Sequence, residues 1–260
     1  MELFFSEESR LLLLVVACAV LWSLETFLPL NNHSEFRVSR ALPNIGLTVG
    51  LVFTNLLLSF GSAQVSAFVE DKRFGLFALF RLAPWMVLIL GVIGLDLFAY
   101  TAHLLLHKSW VGWQFHRVHH SDPRVNVTTA FRQHPGETIW RMLWQVLAIA
   151  VLGLPLSVVA VYLTISALNA QLEHANIKLA NWFDRIVRLV FVTPNMHKVH
   201  HSREQFETDT NYSNIFSFWD RIFGTYTSSA DLLKLRYGLD GFDDRKKQTL
   251  PALLTLPFKN

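Results

Sequence analysis

The chain has 260 residues, 52% of them hydrophobic and only 17% charged, with a formal net charge of +3 and a mean hydropathy of +0.31. A soluble domain carries nearer a quarter of its residues charged, so this balance points to the bilayer. So small and dispersed a charge argues against nucleic acid as a partner, and a single cysteine, Cys18, excludes an internal disulfide framework.

Residues 11–30 are apolar except for Glu25 and a few small polar side chains, and residues 41–69 hold no Lys, Arg, Asp or Glu. A crossing helix needs about 20 residues, so both stretches are predicted to span. The Val15-Val16-Ala17-Cys18 run faintly resembles a lipoprotein signal. The acidic lead-in of Glu2, Glu7 and Glu8, and apolar residues continuing to Leu30, read instead as a retained anchor. A third span is predicted from about Leu82 to His107, with Pro84 near its start and Asp96 as its acidic residue.

From the end of that span onward, histidines dominate. His103 and His107 form HxxxH, His116, His119 and His120 form HxxHH, and His197, His200 and His201 repeat HxxHH, so these clusters hold eight of the eleven histidines. On a helix, offsets of zero, three and four share an arc of about 100°, so each cluster can aim its imidazoles at one point. Neutral imidazole ligates iron, zinc, copper and nickel, and eight converging rings exceed the needs of one ion. Two metals are expected.

Residues 142–172 carry no formal charge and are broken by Gly153-Leu154-Pro155. A straight helix of that length would run about 46 Å, against a hydrocarbon core of about 30 Å. If the second and third histidine clusters share a site, the chain between them must return to its starting side. A helical hairpin is therefore predicted, turning where Gly and Pro disfavour helix, with arms from about Glu137 to Leu152 and from Pro155 to His174. The first arm is short for a full crossing.

The expected fold is all-α and multi-pass: three spans plus the hairpin, in one integral-membrane domain over 1–260, under a histidine-rich helical cap. Lys108, Arg117, Arg124, Arg132 and Arg141, with Arg37 and Arg40, place that cap in the cytoplasm by the positive-inside rule. Lys72, Arg73 and Arg81 argue mildly against it. The sequons at Asn32, Asn126 and Asn211 would then face the wrong compartment, and His33 reads as a solvated loop residue.

Asp96, Tyr100, His103 and His107 share one helical face by their spacing. An acid inside an apolar span is expensive without a partner, so Asp96 is expected to orient a ligand imidazole, the alternatives being a pairing with another helix or contact with water. Tyr100 divides between the same supporting role and packing. Asp209 follows the last cluster closely enough to hold a histidine, while Asn211 and Tyr212 support the site or cap a turn. The aromatics from Tyr212 to Tyr226 suit a bilayer interface or a packed cap.

The three ordered boxes, followed by Asp209-Thr-Asn211-Tyr212 and by Phe218-Trp219-Asp220-Arg221-Ile222-Phe223-Gly224-Thr225-Tyr226, resemble the fatty acid hydroxylase/sterol desaturase superfamily over roughly residues 85–245, the expected catalytic core. The resemblance implies an integral-membrane di-iron enzyme that uses O2 as co-substrate and two external electrons to hydroxylate, or less often desaturate, a membrane lipid. It also implies a ligand between the second and third boxes, which His174 matches, completing the set His103, His107, His116, His119, His120, His174, His197, His200 and His201. Some relatives place another histidine where this chain has Ala170, so one metal is expected to be completed by water or by the amide of Gln171.

Glu137 and Glu173 have ligand chemistry, and the resemblance argues against both. His134 sits in a segment resembling the haem loop of cytochrome b5, but no second axial histidine or soluble module accompanies it. Arg132, His134 and Glu137 are expected to fix a helix entrance or border the site.

Neither a nicotinamide fingerprint nor a ferredoxin-type cysteine set is present, so electrons are expected from a separate cytochrome b5, ferredoxin or reductase. Zinc or nickel can replace iron in crystals. The enclosing membrane would be the endoplasmic reticulum or a bacterial inner membrane. Competing classes are a desaturase on the same scaffold, a non-catalytic metal or haem binder, and a zinc hydrolase, which would need an acid placed as in HExxH.

Overall fold

The computed structural model describes residues 7–31, 37–229 and 231–259; Glu2, the Asn32 sequon and His33 lie outside them. Helices follow in the order α1 (Glu7–Phe27), α2 (Arg37–Lys72), α3 (Pro84–Lys108), α4 (Trp110–His120), α5 (Pro135–Leu152), α6 (Leu156–His174), α7 (Asn181–Val187), α8 (Pro194–His200), α9 (Gln205–Thr208), α10 (Phe218–Ile222) and α11 (Leu250–Thr255). Among the described residues there is no β-strand, only isolated bridges.

Four stretches are long and apolar enough to cross a membrane: Glu7–Phe27, Val38–Leu79, Pro84–Lys108 and Leu156–His174. Their outer faces carry exposed Leu12, Val16, Phe53, Leu56 and Phe60. Water would penalise that surface and lipid does not, which marks the chain as an integral membrane protein. α5, with Glu137 and Arg141 in its first turns, is not among these four.

The hairpin turns where Gly and Pro predict it. Gly153 takes φ 76, a left-handed conformation open to glycine at little cost, and Pro155 caps the start of α6. The turn lies on the connection between α2 and α3, because a Cβ on Gly153 would come within 2.4 Å of the Phe74 carbonyl oxygen. Ser66 of α2 also donates to the Leu154 carbonyl at 2.9 Å. The 18 residues of α5, about 27 Å of helix, therefore reach the end of the bundle where α2 finishes.

At the opposite end, Glu25 of α1 accepts the N–H groups of Val127 at 2.7 Å and Asn176 at 2.8 Å. Asn44 of α2 donates to Thr128 at 2.9 Å and accepts from Arg132 at 3.0 Å. The end of α1, the start of α2, the α4–α5 loop and the end of α6 thus meet at one level, and the chain makes the return from which the hairpin was inferred. Between the two ends, α2, α3, α5 and α6 enclose a core including Leu95, Ile149, Leu152, Val158 and Val159.

The cap follows from local breaks. Ser109 ends α3 and starts α4 by accepting the Gly112 N–H, and Thr193 with Pro194 starts α8 in the same way. Behind α4, buried Val118 packs on Leu253 and Leu256 of the C-terminal segment.

Candidate metal centre

Nine buried or half-buried histidines gather at the level where α3 and α6 end. They form two groups, His103, His107, His116, His120 and His200 in one and His119, His174, His197 and His201 in the other, with ligand atoms in each group within 4.8 Å of one another. Spacing marks eight of the nine and the family resemblance marks His174, but neither shows how they divide. Each HxxHH box does not aim at one point: His116 and His120, four apart on one side of α4, enter the first group while His119 turns to the second. In the last box His197 and His201 join the second group and His200 the first. One turn of helix thus serves two sites, and the groups abut where the His120 and His201 rings stack at 4.7 Å.

The protonation pattern asks for a cation in each group. A carbonyl oxygen only accepts, so Nδ1 must donate in His103 to Tyr212 (2.8 Å), in His174 to Ala170 (2.6 Å), in His200 to Thr210 (2.7 Å) and in His119 to Arg132 (3.3 Å). In a neutral ring this leaves Nε2 as a bare lone pair. Yet Nε2 of His119 and Nε2 of His174 face each other at 3.1 Å. In the first group His103 and His116 do the same at 3.0 Å, His116 having its Nδ1 at 3.0 Å from the Glu137 carboxylate.

Facing lone pairs repel unless a positive charge lies between them. A proton is disfavoured, because burial holds His116, His119, His120, His197, His200 and His201 well below the ordinary imidazole range. Two nitrogens bound to one ion at about 2.1 Å and near right angles lie about 3.0 Å apart. The nitrogens of His174, His197 and His201 are each 3.1 Å from the other two, so the donor set fits a metal ion.

The outer edges of the rings are held by groups of two kinds. Asp209 approaches His107 Nδ1 at 3.5 Å and Lys108 Nζ at 3.0 Å, and His107 followed by Lys108 holds its carboxyl well below the usual carboxylate range. Thr210 and Tyr212 contribute through backbone carbonyls, so the 209–212 turn serves three of the five rings in the first group. Asn211 shapes that turn at φ 55, bonding Met196 and Thr227 carbonyls at 3.1 and 2.8 Å. The Tyr212 ring packs on His107 at 5.0 Å, and Tyr100 stands one layer out, bonded to Thr225 at 2.9 Å and edge-on to Tyr212.

Asp96 does something other than what its position on the α3 face suggests. Instead of orienting a histidine, its carboxylate accepts the N–H groups of Ile215 and Phe216 at 3.0 Å and the Trp219 indole at 3.1 Å. It anchors the segment after the 209–212 turn, mostly through backbone outside any helix, and reaches another helix only at Trp219 of α10. Asp220 anchors the near side, accepting from Tyr212 N at 2.8 Å and Ser213 N at 3.0 Å.

Gln171 is fully buried but turned toward α1, its amide donating to the Leu14 carbonyl at 3.3 Å. His134 caps α5 by accepting the Gly136 N–H at 3.0 Å and stays out of both groups. Arg132 borders the site, closing α4 with a bond to the Val118 carbonyl at 2.8 Å. Buried Lys198, pushed down to about 8 by burial, ties α8 to the Ala175 carbonyl beside His174. Glu137 borders the site, one of the two places expected for it, but its contact with His116, the backbone carbonyls behind the rings and the role of Lys198 had no signal in the sequence.

Fold and site together define a helical membrane protein whose buried, histidine-only groups at one end of the bundle can hold metal. The fatty acid hydroxylase family model matches residues 88–225, a little over half the chain and every histidine of the two groups; the chain belongs to that family. Curated relatives include an alkylglycerol monooxygenase of Danio rerio, 33% identical over 58% of this chain and 32% of its own length. The ornithine lipid hydroxylase OlsE of Rhizobium tropici is 31% identical over 53% and 41%, and an alkylglycerol monooxygenase of Homo sapiens is 30% identical over 81% and 45%. The chain thus spans less than half the length of these relatives. No solved structure matches it.

Proposed function

We propose that this chain hydroxylates a membrane lipid with O2 at a pair of irons, one held by His103, His107, His116, His120 and His200 and the other by His119, His174, His197 and His201. The observation that carries the reading is the division of nine histidines into two abutting groups whose bare Nε2 atoms face each other. When bound, such a pair supplies the redox chemistry in which O2 and two external electrons place one oxygen in a C–H bond and release the other as water.

The protein's own residues do the rest. Carbonyls of Arg132, Ala170, Thr210 and Tyr212 fix the imidazole tautomers, and the carboxylates of Glu137 and Asp209 steady His116 and His107. Burial keeps bulk water from the centre and the imidazoles neutral. His103, His107 and His174 lie at the ends of apolar helices, so a lipid carbon can reach the centre without its chain leaving the bilayer. The relatives' names support a lipid with a polar head, an alkylglycerol or an amino-acid lipid, ahead of a sterol, fatty acyl or sphingoid substrate. Electrons come from a separate cytochrome b5, ferredoxin or reductase. The distribution of basic residues supports a site on the cytoplasmic side of the endoplasmic reticulum or a bacterial inner membrane.

The test is expression with iron and a matched electron donor under ¹⁸O-labelled O2, followed by lipid analysis beside His119→Ala and His200→Ala, one variant for each group. A lipid carrying labelled oxygen, absent from both variants, is the expected result. An oxygen-free alkene would make the chain a desaturase, and identical lipid profiles in all three would end the oxygenase reading.

A further inference from the structure

The two groups are unequal, five imidazoles against four, and the smaller has a carboxylate at its edge. Glu173 is buried, 4% exposed. One of its oxygens, Oε2, accepts the Asn169 amide at 3.1 Å, and that amide is itself fixed on the Asn214 carbonyl at 2.6 Å. The other, Oε1, lies 3.7 Å from His197 Nε2 and 3.8 Å from His174 Nδ1.

Which nitrogen a carboxylate meets distinguishes its role. Glu137 meets His116 on Nδ1, the outer edge, and is paired with Arg141 at 2.8 Å. Glu173 meets two rings, His174 on the outer Nδ1 that donates to Ala170 and His197 on Nε2, the nitrogen that converges with His174 and His201. The second contact is the one Glu137 lacks, and among the described residues no Lys or Arg pairs with Glu173. Burying a carboxylate with one amide donor and neutral imidazoles around it is costly, whereas a divalent cation inside the group would offset that cost. Around one ion with donors at about 2.1 Å, neighbouring donors lie about 3.0 Å apart and opposite ones about 4.2 Å. At 3.7 Å from His197 Nε2, Oε1 falls between those two separations from one converging nitrogen, but it lies outside the 4.8 Å grouping of the four imidazoles, so the carboxyl must turn toward the ion to bind it. Gln171, the other side-chain oxygen donor near His174, has its amide nitrogen on the Leu14 carbonyl of α1 and its own oxygen buried without a hydrogen-bond partner, so the test is made on Glu173 itself.

We propose that Glu173 is an oxygen ligand of the four-histidine group, so that one ion is held by five imidazoles and the other by four imidazoles and a carboxylate. The assignment rests on the two-metal reading above and gives its two ions different chemistry, the oxygen-bound ion being the harder one.

The test uses the full chain in detergent, loaded with Co(II), with ions per chain counted by mass spectrometry and each dissociation constant measured by chelator competition. The wild type should hold two ions. Glu173→Gln should hold one unchanged and bind the second at least about 10-fold more weakly, with only the second ion's absorption bands shifted. Glu173→Asp should retain the second ion better than Glu173→Gln. A role confined to packing and the Asn169 bond would give the reverse order, because Gln is the closer isostere.

Two tightly bound ions with an unaltered spectrum in Glu173→Gln, or Gln ahead of Asp, would overturn the assignment. A wild type holding fewer than two ions would overturn the two-metal reading and this assignment together.

Discussion

Asp209 shows how much of this site depends on what lies behind the imidazoles. It stands 3.5 Å from His107 Nδ1 and 3.0 Å from Lys108 Nζ; a carboxylate beside the outer nitrogen makes a ligand ring more basic and steadies its orientation. Asp209→Ala is expected to weaken the ion of the five-histidine group by about 10- to 100-fold and leave the other ion in place, as chelator competition would read. Equal weakening of both ions would mean that the 209–212 turn does not serve the first group alone. The sequence marked Asp209 by its closeness to the last box. It could not mark Thr210 and Tyr212 as carbonyl acceptors, because every residue has a carbonyl and only the fold decides which one meets a ring.

At the scale of elements, Asp96 holds the site to the membrane bundle and the Gly153 turn closes the bundle's opposite end. Asp96 binds residues 215, 216 and 219 to α3, and removing it strands buried N–H groups that were bonded to a carboxylate. Asp96→Ala is expected to destabilise the protein by about 3 kcal/mol, seen as a lower thermal midpoint in detergent. An unchanged midpoint would show that the 214–219 segment is held by other contacts.

The hairpin turn packs at the end of the bundle away from the site. Gly153→Ala must place a Cβ against the Phe74 carbonyl oxygen and keep a positive φ, a strain expected to exceed about 1 kcal/mol and measurable in the same assay. The turn was legible in the sequence because Gly and Pro break a helix locally. Asp96 was misassigned for a related reason. Helical spacing put it on the face of His103, but periodicity gives direction around an axis and not which neighbour is met there.

For the whole molecule, the buried imidazoles make stability depend on pH. Burial keeps His116, His119, His120, His197, His200 and His201 unprotonated in the folded chain, while in the unfolded chain they take up protons below about 6.5. The unfolded state then binds more protons, so stability falls as pH drops through that range. The thermal midpoint is expected to be level above about pH 7.5 and to fall steeply toward about pH 5, with bound metal lost in the same direction because ligands must be deprotonated. A midpoint constant from about pH 8 to 5 would show that these rings are not held neutral.

The membrane helices, the hairpin and the histidines of the three boxes could be read from the chain alone, because hydropathy, helix breakers and imidazole spacing are properties of neighbouring residues. The fold was needed to settle how each HxxHH box divides between two groups, which carbonyls and carboxylates stand behind the rings, and that Glu173 borders the smaller group. Those depend on which helix faces which, and contacts between residues far apart in the chain leave no periodic trace in it.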